Sequence, residues 1–434
     1  MAKTLLPVDE AVALVVKTAL AMRASRPAAT RTTTIWEASG YVLAADVAAD
    51  RPLPPFDKSM MDGYALRSQD LAPGWTTLEL VGEVAAGEVG RAIGPGQALA
   101  IMTGAPLPEG ADAVQVHELC ERPLLAAGDR PSVIVREPVK AGANVALTGV
   151  LARAGQVVVE KGRIIESLTA GVLASVGAAQ VEVFRRPRVT VVATGDELVN
   201  IDEVPGIAQI RDSNRKTLMA LAEAEWCRVV DGGIARDDRP HLRSVIRDGL
   251  ESDVLVLSGG VSAGSHDHVR ECLESEGVEI LFHQIAIKPG KPALFGRTAK
   301  TLVFGLPGNP VSNFVTAALL LTPAVRILGR RPDHRPWMLR LPLARKDGEA
   351  GTVALGATGR RTTFHPGHLV RIEPDGGHGG FTTELAVRPC GWDGSADHVA
   401  YARGNVLIRC EVGDPAKVAG DIVSVVLPRS LVDW

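Results

Sequence analysis

Residues 8 to 25 place apolar side chains at Val8, Val12, Val15, Val16, Ala19 and Leu20, a helical stripe that stops before Pro27. The spacing predicts an opening helix with one face packed on a neighbour. From about residue 40 to 160 the texture changes to short Val-rich stretches broken by Gly and Pro, as in VGEVAAGEVG, IGPGQALAIMTG and EPVKAGANVAL. That texture predicts small β-rich lobes. A second helical pattern, GRIIESLTAGVLASVG, leads into Arg185, Arg186 and Pro187. Beyond them come three buried-strand candidates: VTVVATG at 189 to 195, DVLVLSGG at 253 to 260 and TLVFGLPGN at 301 to 309. Each ends in a Gly-containing loop followed by a helical pattern, which predicts a doubly wound α/β domain with a parallel sheet. Ligands in such sheets bind beyond the carboxyl ends of the strands, so these three loops are where chemistry is expected. The basic link GRRPDHRPW at 329 to 337 separates this unit from a Gly-rich tail with alternating runs such as NVLIRCEV and DIVSVVLP, expected to form a small β-barrel or sandwich. No repeat of fixed period is present.

A chain of 434 residues exceeds the length at which one core keeps growing, so about two to four domains are expected. Aromatic residues make up only 4%, which leaves the packing to Ala, Val and Leu, as in helices around buried parallel strands. Forty-seven basic against 50 acidic residues give a formal charge of -3, without the basic footprint of a nucleic-acid-binding protein. No continuous apolar run reaches the roughly 20 residues of a membrane span, and the N-terminal stretch carries acids where a signal peptide has an apolar core. A cytoplasmic protein without membrane insertion is expected. The five cysteines are far apart with no CxxC spacing and read as reduced thiols.

Candidate chemistry gathers at the strand ends. SGGVSAGSHDH precedes a helical pattern, so its backbone N–H groups can face an anion, although a Ser-Gly-Gly after a strand is often only a tight turn. Asp267 beside it could hold a magnesium ion bridging phosphate oxygens. His266 and His268 flank Asp267 but lack an obvious third ligand. Asp196 and Glu197 follow another strand, where an N-capping pair is the ordinary reading. Asp212, Ser213 and Asn214 also make a good cap, and Asp237 and Asp238 read singly as a solvated turn. In IAIKPGKPALFG, Lys288 and Lys291 are held by Pro289, Gly290 and Pro292, which partly prepositions two cations for a small dianion. GLPGNPVSNF offers Ser312 at a further helix start, with Pro310 suited to the first helical position. In the N-terminal part, Asp57, Ser59 and Asp62 share one compact loop, while Thr103 and Gly104 sit in a Pro-rich turn.

Taken in order, PPFDKSMMDGYA, IMTGAP, TGDEL, SNR, RDD, SGGVSAG, IKPGKP and GLPGNPVSN resemble the MoeA family of molybdopterin molybdenumtransferases and the gephyrin E domain. The matches span about residues 50 to 315, with looser echoes in FHPGHLV and SADHVAYARGNVLI. The resemblance implies an elongated four-domain subunit: a discontinuous linker and dimerisation domain at 1–26 and 140–186, a β-rich lobe at 27–139, a molybdopterin-binding α/β domain at 187–329 and a β-barrel at 336–434. It also implies a homodimer, with the site between the α/β domain and the partner's N-terminal region. The implied reaction inserts molybdate into adenylylated molybdopterin and releases AMP, with Mg2+ assisting. Carried over, Asp57, Asp62 and Thr103 line the site from one side, and Glu197, Asp237 and Asp267 position metal or water from the other, with Glu197 and Asp267 as magnesium ligands. Lys288 and Lys291 hold the oxyanion or phosphate, and Ser258, Gly259, Gly260, Ser262 and Ser312 bind the pterin phosphate. Breaking a phosphoanhydride needs charge neutralisation and positioning more than a covalent nucleophile, so this set is chemically coherent.

Two positions depart from the family pattern. NVALTGVLARAG stands where an Arg-rich stretch, Gly and two acids are usual, placing Ala146, Leu147, Thr148, Val150 and Leu151 at a charged corner, and Ser265 replaces an acid after SGGVSAG. The enzyme reading leads, because the lysine pair and the phosphate-binding loops are intact, while the apolar NVALTGVL segment favours a rival, a gephyrin-like scaffold with reduced or no catalysis that captures a short peptide of a receptor or cytoskeletal partner. A third reading, a pterin-binding protein of the preceding adenylylation step, accounts for the α/β domain alone.

Overall fold

The computed structural model describes residues 5–124, 130–261, 268–344, 355–357, 359–372 and 384–428. The opening helix spans Val8–Ala24 and buries Val8, Ala11, Val15, Ala19 and Met22. This face packs along a long helix, Pro310–Leu328, and shares one apolar cluster with the central sheet. The helix is thus anchored to the α/β body, and the chain crosses to the neighbouring lobe only after Pro27.

That lobe forms where Thr30–Thr34 pairs antiparallel with Gln180–Phe184, and Val47–Ala48 with Val157–Val159. Helix Ser167–Ser175 covers it and buries Leu173 against Leu43, Ile165 and Val183. Residues 30 to 48 therefore join the segment around 157–184, although the resemblance assigns them to the β-rich lobe. The β-rich lobe itself is a six-stranded sheet in the order Ala113–Val116, Gly63–Leu66, Gln97–Ile101, Thr76–Val84, Ser132–Val135 and Cys120–Glu121. It has its own cores around Leu66 and Leu99. Its two connections run side by side, with Lys58–Ser59 paired to Val145–Ala146.

The α/β sheet runs in the order Arg228–Ala235, Arg188–Thr194, Val254–Ser258, Leu302–Leu306, Leu294–Arg297 and Glu279–His283. The first four strands are parallel; Leu294–Arg297 runs antiparallel to them, and Glu279–His283 at the edge pairs antiparallel with it. The three strands read from sequence are neighbours in the middle of this sheet. Every side chain of Val254–Ser258 and of Leu302–Leu306 is buried, as expected of strands covered on both faces. Helices Asn214–Ala224 and Pro310–Leu328 cover one face, while Arg239–Gly249 and His268–Ser275 cover the other.

Helix Pro310–Leu328 is long and apolar enough, by length and composition, to cross a bilayer, yet 89% of its most apolar window is buried inside the protein. The sequence reading sought an uninterrupted apolar run, which Asn313, Pro323 and Arg326 break up. Here the helix is the spine of the core. Residues Ala317–Leu321 form a π-turn just before Pro323, whose missing N–H cannot continue the α-helical ladder.

The C-terminal sheet orders Ile287–Lys288, Thr362–Ile372, Val406–Cys410, Ile422–Leu427 and Trp337–Pro342, with Glu384–Pro389 also paired to Thr362–Ile372. A bridge between Leu343 and Val387 brings the ends together, so the sheet is nearly a closed barrel. Its Phe364, Tyr401, Leu407 and Val426 merge with the apolar cluster of the α/β body.

Candidate active site

The three strand-end loops meet in one cleft with a volume of about 1000 Å³. Thr194 to Glu197, Ser258 to Val261 and Pro307 to Pro310 form its floor, and Lys288 and Lys291 enter from one wall. Two glycines set how closely these loops approach. Gly259 and Gly260 both have positive φ, at 95° and 63°. A β-carbon on Gly259 would lie 2.5 Å from the Thr194 carbonyl oxygen, and one on Gly260 would lie 2.6 Å from the Val269 side chain.

The Gly259 N–H donates to the Leu306 carbonyl at 3.0 Å, so it ties adjacent strand ends together and is not free for an anion. Ser258 is 2% exposed, and its hydroxyl accepts from Asn313 Nδ2 at 3.0 Å, which also donates to the Pro307 carbonyl at 3.0 Å. Ser258 and Asn313 therefore brace the floor from beneath. Ser312 lines the cleft but is also nearly buried, at 4% exposure. The Val311 N–H at the helix start is taken by the Ser395 carbonyl of the C-terminal barrel, at 3.1 Å.

Glu197 and Asp237 both line the cleft and are exposed. Neither caps a helix: Asp196 and Glu197 lead into the two-residue strand Leu198–Val199, which pairs with Ile210–Arg211. Asp196 accepts from the Asp237 N–H at 3.3 Å, joining the TGDEL and RDD segments. The caps lie one step away. The Asp238 carboxylate accepts from the His241 N–H at 3.0 Å, and Asp212 accepts from the Arg215 N–H at 3.0 Å, whereas Ser213 makes no side-chain cap. Asp238 is therefore a helix cap and not simply a solvated turn residue. Arg215 then reaches Asp231 at 2.9 Å and Asn200 at 3.0 Å, fixing the SNR corner.

Lys288 is half-buried and Lys291 exposed, on either side of Pro289 and Gly290. Ile287–Lys288 pairs in parallel with Thr362–Thr363 of the barrel, which ties the lysine loop to the C-terminal domain. The barrel contributes Arg361, Trp392, Ser395 and His398 to the cleft, none of which the sequence reading selected. Their only signal was the loose FHPGHLV and SADHVAYARG echoes near them. Ser395 also accepts from Asn309 Nδ2 at 2.8 Å, so the barrel grips the GLPGNP loop directly.

Asp57, Asp62 and Thr103 lie on the β-rich lobe and do not line the cleft of their own chain. They are nevertheless well organised. Asp62 accepts from the Thr103 N–H at 2.6 Å and hydroxyl at 2.9 Å, and Asp57 accepts from the Thr148 N–H and hydroxyl, both at 2.7 Å. The Thr148 N–H, then its hydroxyl, hold the Asp57 carboxyl below the usual range against a smaller effect of burial, and Thr103 does the same for Asp62. Thr148 belongs to the divergent NVALTGVL segment, so that segment retains a specific polar contact while exposing Leu147, Val150 and Leu151. Ser262, Ser265, His266 and Asp267 lie outside the described residues. Among the described residues, no group of three or more His, Cys, Asp or Glu side chains is arranged to hold a metal ion, and every described cysteine is a free thiol.

Comparison with known proteins accounts for this arrangement. Residues 6–177 match the MoeA N-terminal region, domains I and II, and residues 190–327 match the probable molybdopterin-binding domain. Molybdopterin molybdenumtransferase of Staphylococcus aureus strain Mu50 is 30% identical over 98% of this chain and 96% of its own length. The enzyme of that name from Haemophilus influenzae is 32% identical over 92% and 94%. Two crystal structures of a molybdopterin biosynthesis MoeA protein from Pyrococcus horikoshii superpose over 98% of this chain and all of theirs. Their TM-scores are 0.73 and 0.77, at 28% and 25% identity. With both family regions matched and a relative of this identity aligned almost end to end, the chain belongs to the MoeA family of molybdopterin molybdenumtransferases.

Proposed function

We propose that the protein is a molybdopterin molybdenumtransferase that inserts molybdate into adenylylated molybdopterin and releases AMP. The observation that carries this reading is the convergence of three strand-end loops and two lysines on one cleft of about 1000 Å³. The volume suits a nucleotide-sized ligand, and Lys288 and Lys291 oppose the charge of an oxyanion or phosphate. Gly260 and the neighbouring loop backbone let the phosphate approach, while Ser258, Gly259 and Ser312 shape the floor. The Arg361 guanidinium from the barrel adds a third cation.

Glu197 and Asp237 have no cationic partner among the described residues, and they share the cleft with a proposed polyanionic substrate. That donor set fits magnesium held by a few carboxylate oxygens with substrate phosphate and water, and Asp267 would be a further ligand. The ion would supply charge neutralisation during phosphoanhydride cleavage. The chain's own part is to align the phosphates on the loop backbone and to fix the oxyanion between the two lysines.

Asp57, Asp62 and Thr103 enter this reading only from a second subunit, so a homodimer is part of the proposal. A cytoplasmic location suits these substrates. The scaffolding alternative, with a peptide partner, draws no support from the relatives reported above. An adenylylation-step protein would need only the α/β unit, whereas the relatives align over nearly the whole chain. The test is AMP release from adenylylated molybdopterin with molybdate and magnesium. Molybdate-stimulated release that disappears in Lys288→Ala and Asp267→Ala is expected. Mixing Asp62→Ala with Lys288→Ala subunits should restore part of it, and pterin binding without turnover in the unaltered protein would refute the assignment.

A further inference from the structure

The opposite end of the α/β sheet holds a second cavity, of about 680 Å³, at the amino ends of the same parallel strands. Eight arginines line it against two acids, Glu251 and Asp253, in a protein whose net charge is -3. One of the acids is already used: Asp253 accepts from Arg26 Nη1 at 3.1 Å and from the Arg188 N–H at 2.9 Å.

Three of the other guanidinium groups lie against rings. The Arg186 guanidinium lies 4.1 Å from the centre of the Tyr41 ring and 4.9 Å from that of Trp226, Arg31 lies 4.9 Å from the centre of the Tyr41 ring, and Arg330 lies 4.9 Å from that of Phe184. Stacking orients a guanidinium by its face and leaves the N–H edge available. Arg186 Nε has no hydrogen-bond partner, although it is a buried atom. Among the described residues, no carboxylate pairs with Arg23, Arg185, Arg186, Arg228 or Arg330. Crowding is felt within the cluster: burial, and then the Arg23 charge, hold the Arg330 guanidinium below its ordinary range. Unpaired like charges gathered in a concave site raise the local concentration of a counter-ion.

We propose that this cavity is a second anion site that binds an oligophosphate, a chain of two or more phosphoryl groups either free or carried by a nucleotide. All the cations are arginines, whose forked donors match phosphoryl oxygens, and the volume exceeds what a single phosphate fills. The site also joins two bodies. Arg23 lies in the last turn of the helix packed on the α/β domain and Arg26 just beyond its end, whereas Arg31, Tyr41 and Phe184 belong to the lobe beyond Pro27. A bound anion therefore bridges the joint between them.

Calorimetric titration of the full chain with sodium tripolyphosphate and with ATP, at low ionic strength, tests this. In Lys288→Ala/Lys291→Ala, which disables the cleft as a second phosphate site, one tripolyphosphate per chain is expected to bind. The double variant Arg185→Gln/Arg228→Gln alters two exposed side chains and should fold normally. It should weaken binding about tenfold or more, the loss of roughly one charged hydrogen bond. Arg23→Gln alone gives an independent reduction. ATP binding as tightly as tripolyphosphate, or more so, assigns the phosphate chain to a nucleotide, and weaker ATP binding assigns it to free oligophosphate. Binding unchanged in both arginine variants, or abolished in the lysine variant, overturns the proposal. A hexaglutamate peptide binding as tightly as tripolyphosphate also overturns it, in favour of an acidic protein segment.

Discussion

At the residue scale, the Thr148 contact changes how the divergent NVALTGVL segment should be understood. Its backbone N–H is the larger cause of the lowered Asp57 pKa and its hydroxyl the second. A group whose folded pKa is lowered contributes stability above its unfolded pKa and loses it as pH falls through the folded value. Thr148→Val removes the hydroxyl but keeps the N–H. The Asp57 carboxyl should therefore move only part of the way back toward 3.8, its ordinary value, as read by NMR titration of the carboxylate carbon. A full return would mean that the backbone donor had been lost as well.

At the element scale, the most costly polar feature is an ion pair inside the core. Arg326, 2% exposed, donates to both Glu225 oxygens at 2.6 and 2.7 Å. Removing Glu225 leaves the buried Arg326 with only Asp333, its carbonyl at 3.1 Å and its carboxylate at 3.9 Å, so Glu225→Ala should destabilise the α/β body by about 3 kcal/mol, whereas Glu225→Leu combined with Arg326→Met should cost much less. Denaturant titration of the two variants beside the unaltered protein measures the difference. A second element-scale prediction concerns His365 on strand Thr362–Ile372. Its Nδ1 accepts from Trp392 at 3.3 Å, and its Nε2 lies 3.2 Å from the Gly356 carbonyl. Burial, with a smaller contribution from Lys288, holds its pKa below 6.5 against the opposing Gly356 contact. Folding therefore favours the neutral ring, and this stability is present above the ordinary histidine pKa and lost as pH falls below it. The thermal midpoint of the transition that includes the barrel should fall as pH is lowered below the ordinary histidine range, and fall less in His365→Gln, as followed by near-ultraviolet circular dichroism.

Legibility from sequence also divides at this scale. The strands at 189–195, 253–260 and 301–309 were readable because full burial writes itself as a continuous apolar run. The edge strands Arg228–Ala235 and Glu279–His283 were not, since half-exposed residues such as Val229 and Leu281 alternate with Arg, Asp and Glu. The cleft loops and both lysines were legible from their Gly and Pro punctuation. Arg361, Trp392 and His398 were not, because they reach the cleft through long-range pairing of the barrel with Ile287–Lys288, which leaves no local pattern. Ser258 lines the cleft floor, but the expected contact of its hydroxyl with a phosphate presupposes an exposed side chain, whereas the residue is buried and its oxygen accepts from Asn313.

At the scale of the whole molecule, cohesion is uneven. The β-rich lobe has its own cores and connects through two adjacent chain passages, while the barrel, which has a core around Val387, Ile408 and Val425, also feeds Phe364, Tyr401, Leu407 and Val426 into the cluster of the α/β body. Scanning calorimetry should therefore resolve at least two transitions, with the β-rich lobe unfolding separately from a joint transition of α/β body and barrel. A single two-state endotherm would contradict this division.

The short parallel pairing of Ile287–Lys288 with Thr362–Thr363 makes the barrel a lever on the lysine loop. Lesions planted deep in the C-terminal domain, remote from any reacting atom, should then masquerade as defects of oxyanion capture. Catalogues of harmful substitutions in this chain would thus sort by mechanical linkage to Lys288 more faithfully than by distance from the cleft.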